Sequence, residues 1–149
     1  MNYKISHRAA TLSSSLTLAI DAVQSHSTSN PTSFAQKGAV AALQGPQDHL
    51  PKWLAEFDKR RRYAHQRINA IPGITCCNAK GAFYLFPNIS VTGLNSTEFC
   101  ARLLEQEKVA AVPGIAFGAD DYIRISYATG LSTIEKGLER MDRFVRSLS

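Results

Sequence analysis

Apolar residues recur every three to four positions through the first half of the chain, which is the spacing of amphipathic helices. The pattern predicts a short helix over 12–23, and a second helix that the side chain of Thr32 or Ser33 caps and that ends at the stop signal Gly45-Pro46. A longer stripe predicts a third helix over 48–71. One face of this long helix carries Leu50, Trp53, Leu54, Phe57, Arg61, Ala64, Ile68 and Ile71. The first half of the chain is therefore predicted to be helical.

The second half mixes short apolar runs with two more amphipathic stretches. The runs predict four strands, over 74–77, 82–87, 109–112 and 122–127. A helix capped by Asn95 or Ser96 is predicted between the second and third strands. The last helix opens with the capping-box pattern Ser132-Thr133-Ile134-Glu135. Its core stripe is formed by Ile134, Leu138, Met141, Val145 and Leu148.

The order of these elements indicates the fold class. Helices come first and are followed by strand, strand, helix, strand, strand and helix. An α/β chain with this order is expected to form a small, mostly antiparallel sheet that helices cover on one face. The long helix connects the first part of the chain to the sheet, so we divide the chain into 1–45 and 46–149.

Composition and charge narrow the class of protein. Hydrophobic residues make up 44% of the chain and charged residues 19%, as in ordinary globular proteins. No apolar run reaches the roughly 18 residues that a membrane span needs, so we expect a cytoplasmic protein without a membrane partner. The net charge of +5 includes the basic run Lys59-Arg60-Arg61-Arg62. This run indicates a solvated helix face or, alternatively, a surface for an acidic partner, and we expect no nucleic-acid partner.

Residue types that often carry chemistry give few candidates. The cysteines Cys76, Cys77 and Cys100 are odd in number and two are adjacent, which favours reduced structural thiols over a disulfide framework or a zinc site. The sequence contains no G-x-S-x-G elbow, no P-loop, no H-E-x-x-H pair and no dinucleotide-binding fingerprint. These patterns therefore predict no catalytic residue and no metal site.

Arg124 is the strongest candidate for a binding residue. It lies between Ile123 and Ile125 in a predicted strand, so isoleucines that face the core would turn the arginine to the opposite face. Its planar guanidinium group can pair with a carboxylate through two parallel hydrogen bonds. The alternative interpretation is a surface arginine on a solvated sheet face.

Four segments add a resemblance to a known family. They are QSHSTSNPTS (24–33), GAFY (81–84), VPGIAFG (112–118) and YIRISYA (122–128). In this order they resemble the C-terminal part of a class I/II, aspartate aminotransferase-like enzyme that uses pyridoxal phosphate. The resemblance covers about residues 12–149. It implies that Arg124 binds the substrate α-carboxylate, that Phe83 and Tyr84 line the substrate side of the cleft, and that Ser29 and Asn30 lie at a subunit interface near the partner's active site.

The resemblance also carries expectations for the architecture and partners. Residues 46–149, with the long helix, would be the small C-terminal domain of a fold-type I pyridoxal-phosphate transferase. Residues 1–45 would be a remnant of its large-domain and interface region. The intact enzyme would act on an amino acid and a 2-oxo acid, and the chain is expected to form a homo-oligomer, most simply a dimer.

One departure from the family concerns the cofactor. Members carry an S-K-x-[YF] motif whose lysine forms a Schiff base with pyridoxal phosphate, and Lys4 matches neither this motif nor its spacing. The resemblance therefore implies a chain cut off before that lysine, inactive alone, with no catalytic or cofactor-binding residue and no covalently bound cofactor. The alternatives are a non-catalytic interaction or regulatory module and a decayed gene product.

Overall fold

The computed structural model of the chain describes residues 14–148, which divide between Gln47 and Asp48 into two units. The first unit contains helices α1 (Ser14–Ser27) and α2 (Ser33–Gln44). The second unit contains three helices, α3 (His49–Ile68), α4 (Ser96–Glu107) and α5 (Leu131–Ser147). It also contains three short strands, β1 (Tyr84–Leu85), β2 (Val112–Pro113) and β3 (Ile123–Ser126). The assignment of the two parts to a large-domain remnant and a small domain stays a prediction.

The first unit confirms the two helices predicted for this part of the chain, although Leu12, the first residue of the predicted stripe, lies outside the described residues. Ser29, in the turn between the helices, adopts the left-handed region with φ 60°. The predicted side-chain cap of α2 is wrong, because Thr32 makes no capping hydrogen bond. Instead, Gln36 Nε2 donates to the carbonyl oxygen of Pro31 over 2.8 Å. The helix ends at Gly45 as predicted, where the backbone N–H donates to the Ala41 carbonyl.

The sheet of the second unit has the strand order β1-β3-β2, and both pairs are antiparallel. Leu85 pairs with Ile125, and Val112 pairs with Arg124. The small antiparallel sheet and the surrounding helices confirm the predicted fold class. The central position of β3 matters most for function, because it holds Arg124 between two neighbouring strands.

The predicted strands are too long, since only Tyr84–Leu85 of 82–87 and Ile123–Ser126 of 122–127 form strands, and the other two need larger corrections. Over 74–77 only Thr75 forms an isolated bridge, with Asn88. The Asn69 side chain accepts a hydrogen bond from the Cys76 N–H at 3.0 Å and donates one to the Cys76 carbonyl at 3.2 Å. These backbone groups are therefore not available to pair with a neighbouring strand. The strand predicted over 109–112 begins only at Val112, because the preceding residues still terminate α4.

The end of α4 explains that shift. Lys108 adopts the left-handed conformation with φ 56°, and the Val109 N–H donates back to the Leu103 carbonyl at 3.5 Å. This is the closing pattern of a helix C-terminus, in which backbone groups otherwise left without partners are satisfied. At the other end of α4 the predicted cap is confirmed, since the Asn95 side chain accepts from the Glu98 N–H at 2.9 Å.

The capping box predicted for α5 is wrong. The helix begins one residue earlier, at Leu131, and its N-cap is Gly130, which offers only its backbone. The carbonyl of Gly130 accepts from the N–H groups of Thr133 and Ile134. Ser132 therefore lies inside the first turn, where its side chain does not cap the helix.

The core lies between the sheet and the three helices of the second unit. Helix α5 contributes more of it than any other element, and the predicted stripe is confirmed, with Leu148 only partly buried. Phe144, which the stripe omitted, is fully buried and meets Phe99 of α4 edge to face at 5.2 Å. Leu85 and Ile123 supply the sheet side of this core, with 1% and 0% exposure. Burial of these two residues fixes which face of the sheet points outward.

Helix α3 is buried only in its C-terminal half. Ala64 and Ile68 pack in the core, whereas Trp53 and Leu54 on the same predicted face are exposed. The basic run within α3 is largely paired with acids one turn away, such as Arg60 with Glu56 at 2.9 Å. Among the described helices, none is long and apolar enough to cross a bilayer.

Candidate functional site

The alternation of side chains along β1 and β3 builds one outward face. Ile123 is buried on the core side, so its neighbours Tyr122 and Arg124 point to the other side of the sheet. Leu85 is buried in the same way, which turns Tyr84 and Phe86 to that outward face. The sheet thus places one cation on the same face as three aromatic side chains.

The Arg124 guanidinium lies between two aromatic faces. Its Cζ atom is 4.3 Å from the ring centroid of Tyr84 and 4.7 Å from that of Phe117. Both distances fall within the range of cation–π attraction, which stabilises the cation without using its N–H groups. The side chain is partly buried, so these contacts also remove part of the guanidinium from water.

The N–H groups of Arg124 remain available. Among the described residues, Arg124 forms no hydrogen bond and no ion pair through its guanidinium, and no acidic side chain neutralises it. Most other arginines of the second unit differ in this respect, for example Arg61 with Asp58 at 2.7 Å and Arg143 with Glu107 at 2.6 Å. A partly buried guanidinium with free donors and no acid beside it is suited to bind an external carboxylate.

Further rings complete an aromatic cluster, which we define as Tyr84, Phe86, Phe117 and Tyr122. Phe86 stacks on Tyr122 with centroids 5.1 Å apart and planes 5° apart. Phe86 also meets Phe117 edge to face at 6.0 Å. Phe83, the third predicted substrate-binding residue, contacts Tyr84 at 4.4 Å and is 42% exposed, so it lies at the edge of the cluster.

Phe117 reaches Arg124 because a 3₁₀ turn over Gly114–Phe117 is held from two sides. The Gly114 N–H donates to the Tyr122 carbonyl at 2.8 Å. A Cβ atom at Gly114 would lie 2.2 Å from the carbonyl oxygens of Ala119 and Tyr122, so only glycine fits this close approach. On the other side, the Ile115 N–H donates to Ser96 Oγ at 3.1 Å.

Ser96 is itself fixed by an acid. It is fully buried, and its N–H and Oγ–H both donate to Asp120 Oδ1, over 3.0 and 2.5 Å. The Ser96 hydroxyl therefore connects Asp120 to the turn that carries Phe117. This connection is absent from the sequence interpretation, which used Ser96 only as a possible helix cap.

Tyr127 anchors the segment that carries Phe83 and Tyr84. Its hydroxyl donates to the Ala82 carbonyl at 2.8 Å, and its N–H donates to the Phe83 carbonyl at 3.0 Å. These bonds hold Ala82 in the left-handed region with φ 56°. Burial raises the pKa of the Tyr127 phenol, so it stays a donor. The two motif segments GAFY and YIRISYA are thus bonded to each other.

The predicted site residues fall into two groups, one in each unit. Arg124, Tyr84 and Phe83 lie together in the second unit, whereas Ser29 and Asn30 lie in the exposed turn of the first unit. The sequence interpretation missed the roles of Phe86, Phe117 and Tyr122. Phe86 and Tyr122 could have been found from alternation alone, because each flanks a buried apolar residue in a predicted strand.

The described residues do not fit a covalently held pyridoxal phosphate. A lysine that forms a Schiff base is normally desolvated in a pocket or placed beside other charged groups. Every lysine between residues 14 and 148 is instead classed as exposed: Lys37, Lys52, Lys59, Lys80, Lys108 and Lys136. Lys4 lies outside the described residues. The cluster around Arg124 therefore offers carboxylate binding but no covalent seat for the cofactor among these residues.

Comparisons with known proteins give the chain a family context. The sequence model of the family described as aminotransferase class I and II matches residues 9–141. The aspartate aminotransferase of Geobacillus stearothermophilus is 47% identical over 128 residues, which cover 83% of this chain and 33% of that protein. The aspartate aminotransferase of Bacillus subtilis is 45% identical over 130 residues, covering 84% of this chain and 33% of the relative.

Solved structures give the same picture. The aspartate aminotransferase of Rhizobium meliloti superposes with a TM-score of 0.85 at 39% identity, covering 91% of this chain and 36% of that one. An aromatic aminotransferase of Pyrococcus horikoshii superposes with a TM-score of 0.80 at 37% identity, covering 86% and 36%. The chain spans about a third of the length of the curated relatives it matches.

Proposed function

Because the chain belongs to the class I and II aminotransferase family, we propose that Arg124 binds the α-carboxylate of an amino acid or 2-oxo acid in transamination. The observation that carries this proposal is the guanidinium of Arg124, which lies between two aromatic faces and has no partner among the described residues. In this proposal the chain supplies the carboxylate-binding part of an aminotransferase active site.

The geometry supports a particular role for each residue. The guanidinium offers a planar pair of N–H donors to the two carboxylate oxygens. The rings of Tyr84 and Phe117, with centroids 4.3 and 4.7 Å from the guanidinium carbon, would hold the group in place. Phe83, at the edge, would contact the substrate side chain. Ser29 and Asn30 would act at a subunit interface of the intact enzyme.

The cofactor belongs to the family as a whole, whose members depend on pyridoxal phosphate. When bound, it carries the amino group between the two substrates. Because every described lysine is exposed, we propose that this chain alone does not hold the cofactor covalently and does not catalyse transamination. The reaction would then need residues supplied by another part of an aminotransferase.

Carboxylate binding can be tested on the chain by titrating L-aspartate while recording ¹H–¹⁵N shifts of the arginine side chains. We expect the Arg124 Nε–H signal to move on addition of ligand. A charge-assisted hydrogen bond contributes about 1.5–3 kcal/mol, so Arg124→Gln should weaken binding about tenfold to a hundredfold. Arg124→Lys keeps the charge without the planar fork, so its affinity for L-aspartate should lie between those of wild type and Arg124→Gln. Arg67→Gln, at an exposed arginine of α3, is the matched control.

Two results would contradict the proposal. The first is L-aspartate binding of equal strength in wild type and Arg124→Gln. The second is binding lost equally in Arg67→Gln, since that would reflect net charge and not a site. Absence of activity is tested separately, by adding pyridoxal phosphate, L-aspartate and a 2-oxo acid to the chain. Transamination faster than that of free cofactor would refute the proposal that the chain is inactive alone. It would not bear on carboxylate binding by Arg124, which the titration tests.

A second candidate function is a non-catalytic interaction module, and the first unit favours it. None of the described apolar side chains of α1 and α2 is buried, and the exposed ones include Leu18, Val23, Phe34 and Leu43 at 69%, 68%, 78% and 82%. Apolar surface of this kind in a soluble protein usually meets a partner. We propose self-association through these helices as the simplest case, consistent with a homodimer.

Sedimentation of the chain at micromolar concentration tests this candidate. We expect a dimer or larger species, and a shift toward monomer in the double variant Phe34→Ser/Leu43→Ser. Val91→Ser, which changes an exposed residue of the second unit, is the control and should sediment as wild type. A wild-type chain that is monomeric throughout the micromolar range would refute self-association.

A further inference from the structure

A second concave surface lies in the second unit, apart from the residues around Arg124. It is a groove of about 340 Å³ between α5, the C-terminal end of α4 and β3. Its floor is formed by buried apolar residues, among them Leu85, Leu138 and Met141. This volume is at the lower end of the roughly 300–1,000 Å³ typical of small-molecule sites. Neither Arg124 nor any ring of the aromatic cluster lines it.

The rim of this groove is positively charged. Lys108, Lys136 and Arg140 line it, together with the hydroxyl groups of residues such as Thr129 and Thr133, and no lining residue is acidic. Two of the cations are tethered by backbone oxygens and not by carboxylates. Lys108 Nζ donates to the Glu105 carbonyl at 2.7 Å, and Arg140 Nη1 donates to the Glu107 carbonyl at 3.2 Å. Their positive charge is therefore not cancelled within the groove.

The carboxylate of Glu107, whose carbonyl holds Arg140, is mainly bonded to another arginine. Glu107 is bound by Arg143 through two hydrogen bonds, at 2.6 and 3.1 Å. The hydrogen bond from Arg143 lowers the pKa of Glu107, and the nearby charge of Arg140 lowers it further, so Glu107 balances part of the charge of Arg140 as well. Lys108 and Lys136 consequently face the apolar floor with no carboxylate of the described residues bonded to them, and Arg140 is balanced only in part.

We propose that this groove binds a small monocarboxylate with an apolar body, such as a medium-chain fatty acid or an aryl alkanoate. The apolar body would cover the floor, and the carboxylate would lie at the cationic rim beside the threonine hydroxyls. Charge complementarity selects this class over the alternatives. A small inorganic anion would leave the floor exposed, and an apolar amine would meet three like charges. This inference does not depend on the function proposed for Arg124.

The probe for this site is octanoate, titrated into the ¹⁵N-labelled chain. We expect the residues that line the groove to shift, with saturation in the millimolar range. Any shift of the Arg124 Nε–H is read separately, because that arginine is itself proposed to bind carboxylates. Acetate has the same charge without the chain, and octylammonium has the chain with the opposite charge. Both should bind at least about tenfold more weakly, since each lacks one of the two contributions.

Gly137 of α5 allows the groove to be filled without disturbing the fold. It lines the groove, and a Cβ atom built on it meets nothing within 4 Å. Gly137→Leu therefore projects an aliphatic side chain into the space, and glycine replacement also favours the helix. We expect octanoate binding to be lost while the spectrum stays native. Lys136→Gln should weaken binding about threefold, and Lys80→Gln, at an exposed lysine elsewhere, should not.

Binding of octanoate that is lost in Gly137→Leu and retained in Lys80→Gln supports the site. The inference is overturned if wild type shows no groove shifts at millimolar octanoate, if Gly137→Leu binds as wild type, or if octylammonium binds as tightly as octanoate. In Arg124→Gln the shifts of the groove residues should saturate at the same octanoate concentration as in wild type, because Arg124 does not line the groove. This separates failure of the groove from failure of the carboxylate site proposed above.

Discussion

Replacing Ser96 with alanine should destabilise the second unit and loosen the turn that carries Phe117. The Ser96 side chain is fully buried and makes two hydrogen bonds, donating to Asp120 and accepting from the Ile115 N–H. Ser96→Ala removes both and leaves the Ile115 N–H without its acceptor. The backbone N–H of Ser96 still donates to Asp120 at 3.0 Å, so the carboxylate keeps one partner.

The magnitude follows from these two bonds. A hydrogen bond to an ionised group contributes about 1.5–3 kcal/mol, and a neutral one about 0.5–1.5 kcal/mol. Asp120 is exposed, so the first value belongs at the low end of its range because water screens the carboxylate. The free energy of unfolding should therefore fall by about 2–3 kcal/mol, against a typical total of about 5–15 kcal/mol. The melting temperature should fall by roughly 10 °C.

Urea unfolding followed by far-UV circular dichroism measures this change. The slope m of the free energy against urea concentration should be equal in wild type and variant, which shows that the unfolded state is unaffected. Thr97→Ala, at the exposed neighbouring position, should stay within about 0.5 kcal/mol of wild type. The double variant Ser96→Ala/Asp120→Ala should lose less free energy of unfolding than the two single variants lose together, because the two residues share a hydrogen bond. Fully additive losses, or a Ser96→Ala variant as stable as wild type, would show that this connection does not support the turn.

The remaining predictions concern single positions. Gly114→Ala should lower the free energy of unfolding by about 1–3 kcal/mol in the same assay, because its Cβ would collide with two carbonyl oxygens 2.2 Å away; a near-neutral result would contradict the close approach. Exposed Cys77 should react with a thiol reagent at pH 8 in the native chain, while Cys100, whose pKa burial raises to about 11, should react only on unfolding; equal rates would refute this. The hydrogen bond from Arg143 lowers the pKa of Glu107, so this carboxylate stabilises the fold above its ordinary pKa and ceases to do so as pH falls. Glu107→Gln should thus reduce the urea midpoint above about pH 5 and have no effect near pH 2, and an effect independent of pH would count against the pairing.

The sequence predicts helices better than strands in this chain, and particular residues show why. The stripe of α5 and the Asn95 cap are local patterns, readable within one or two turns. The strand expected over 74–77 fails because the Asn69 side chain, from the end of α3, binds the backbone of Cys76. Apolar runs of four residues do not reveal such competition, since the competing group lies outside the run.

The candidate site divides in the same way. Arg124 is found from sequence because its chemistry and its position between two isoleucines are both local. Phe117 approaches it only through the fold, after the 3₁₀ turn brings it beside β3. The bond from Ser96 to Asp120 spans 24 residues and has no pattern that would announce it. The sequence does not predict the contacts that turns make, because tertiary packing decides their partners.

The choice of aromatic rings around Arg124 is consistent with its proposed role. An acidic neighbour would stabilise the guanidinium but would occupy the N–H donors that a substrate carboxylate needs. The rings of Tyr84 and Phe117 attract the cation through their faces, and neither side chain accepts a hydrogen bond from it. The rings therefore compensate part of the loss of water and leave the hydrogen-bonding fork open. Burial of Ile123 on the opposite face fixes the strand that holds this fork, so the core of the second unit and the proposed carboxylate site depend on the same four-residue strand.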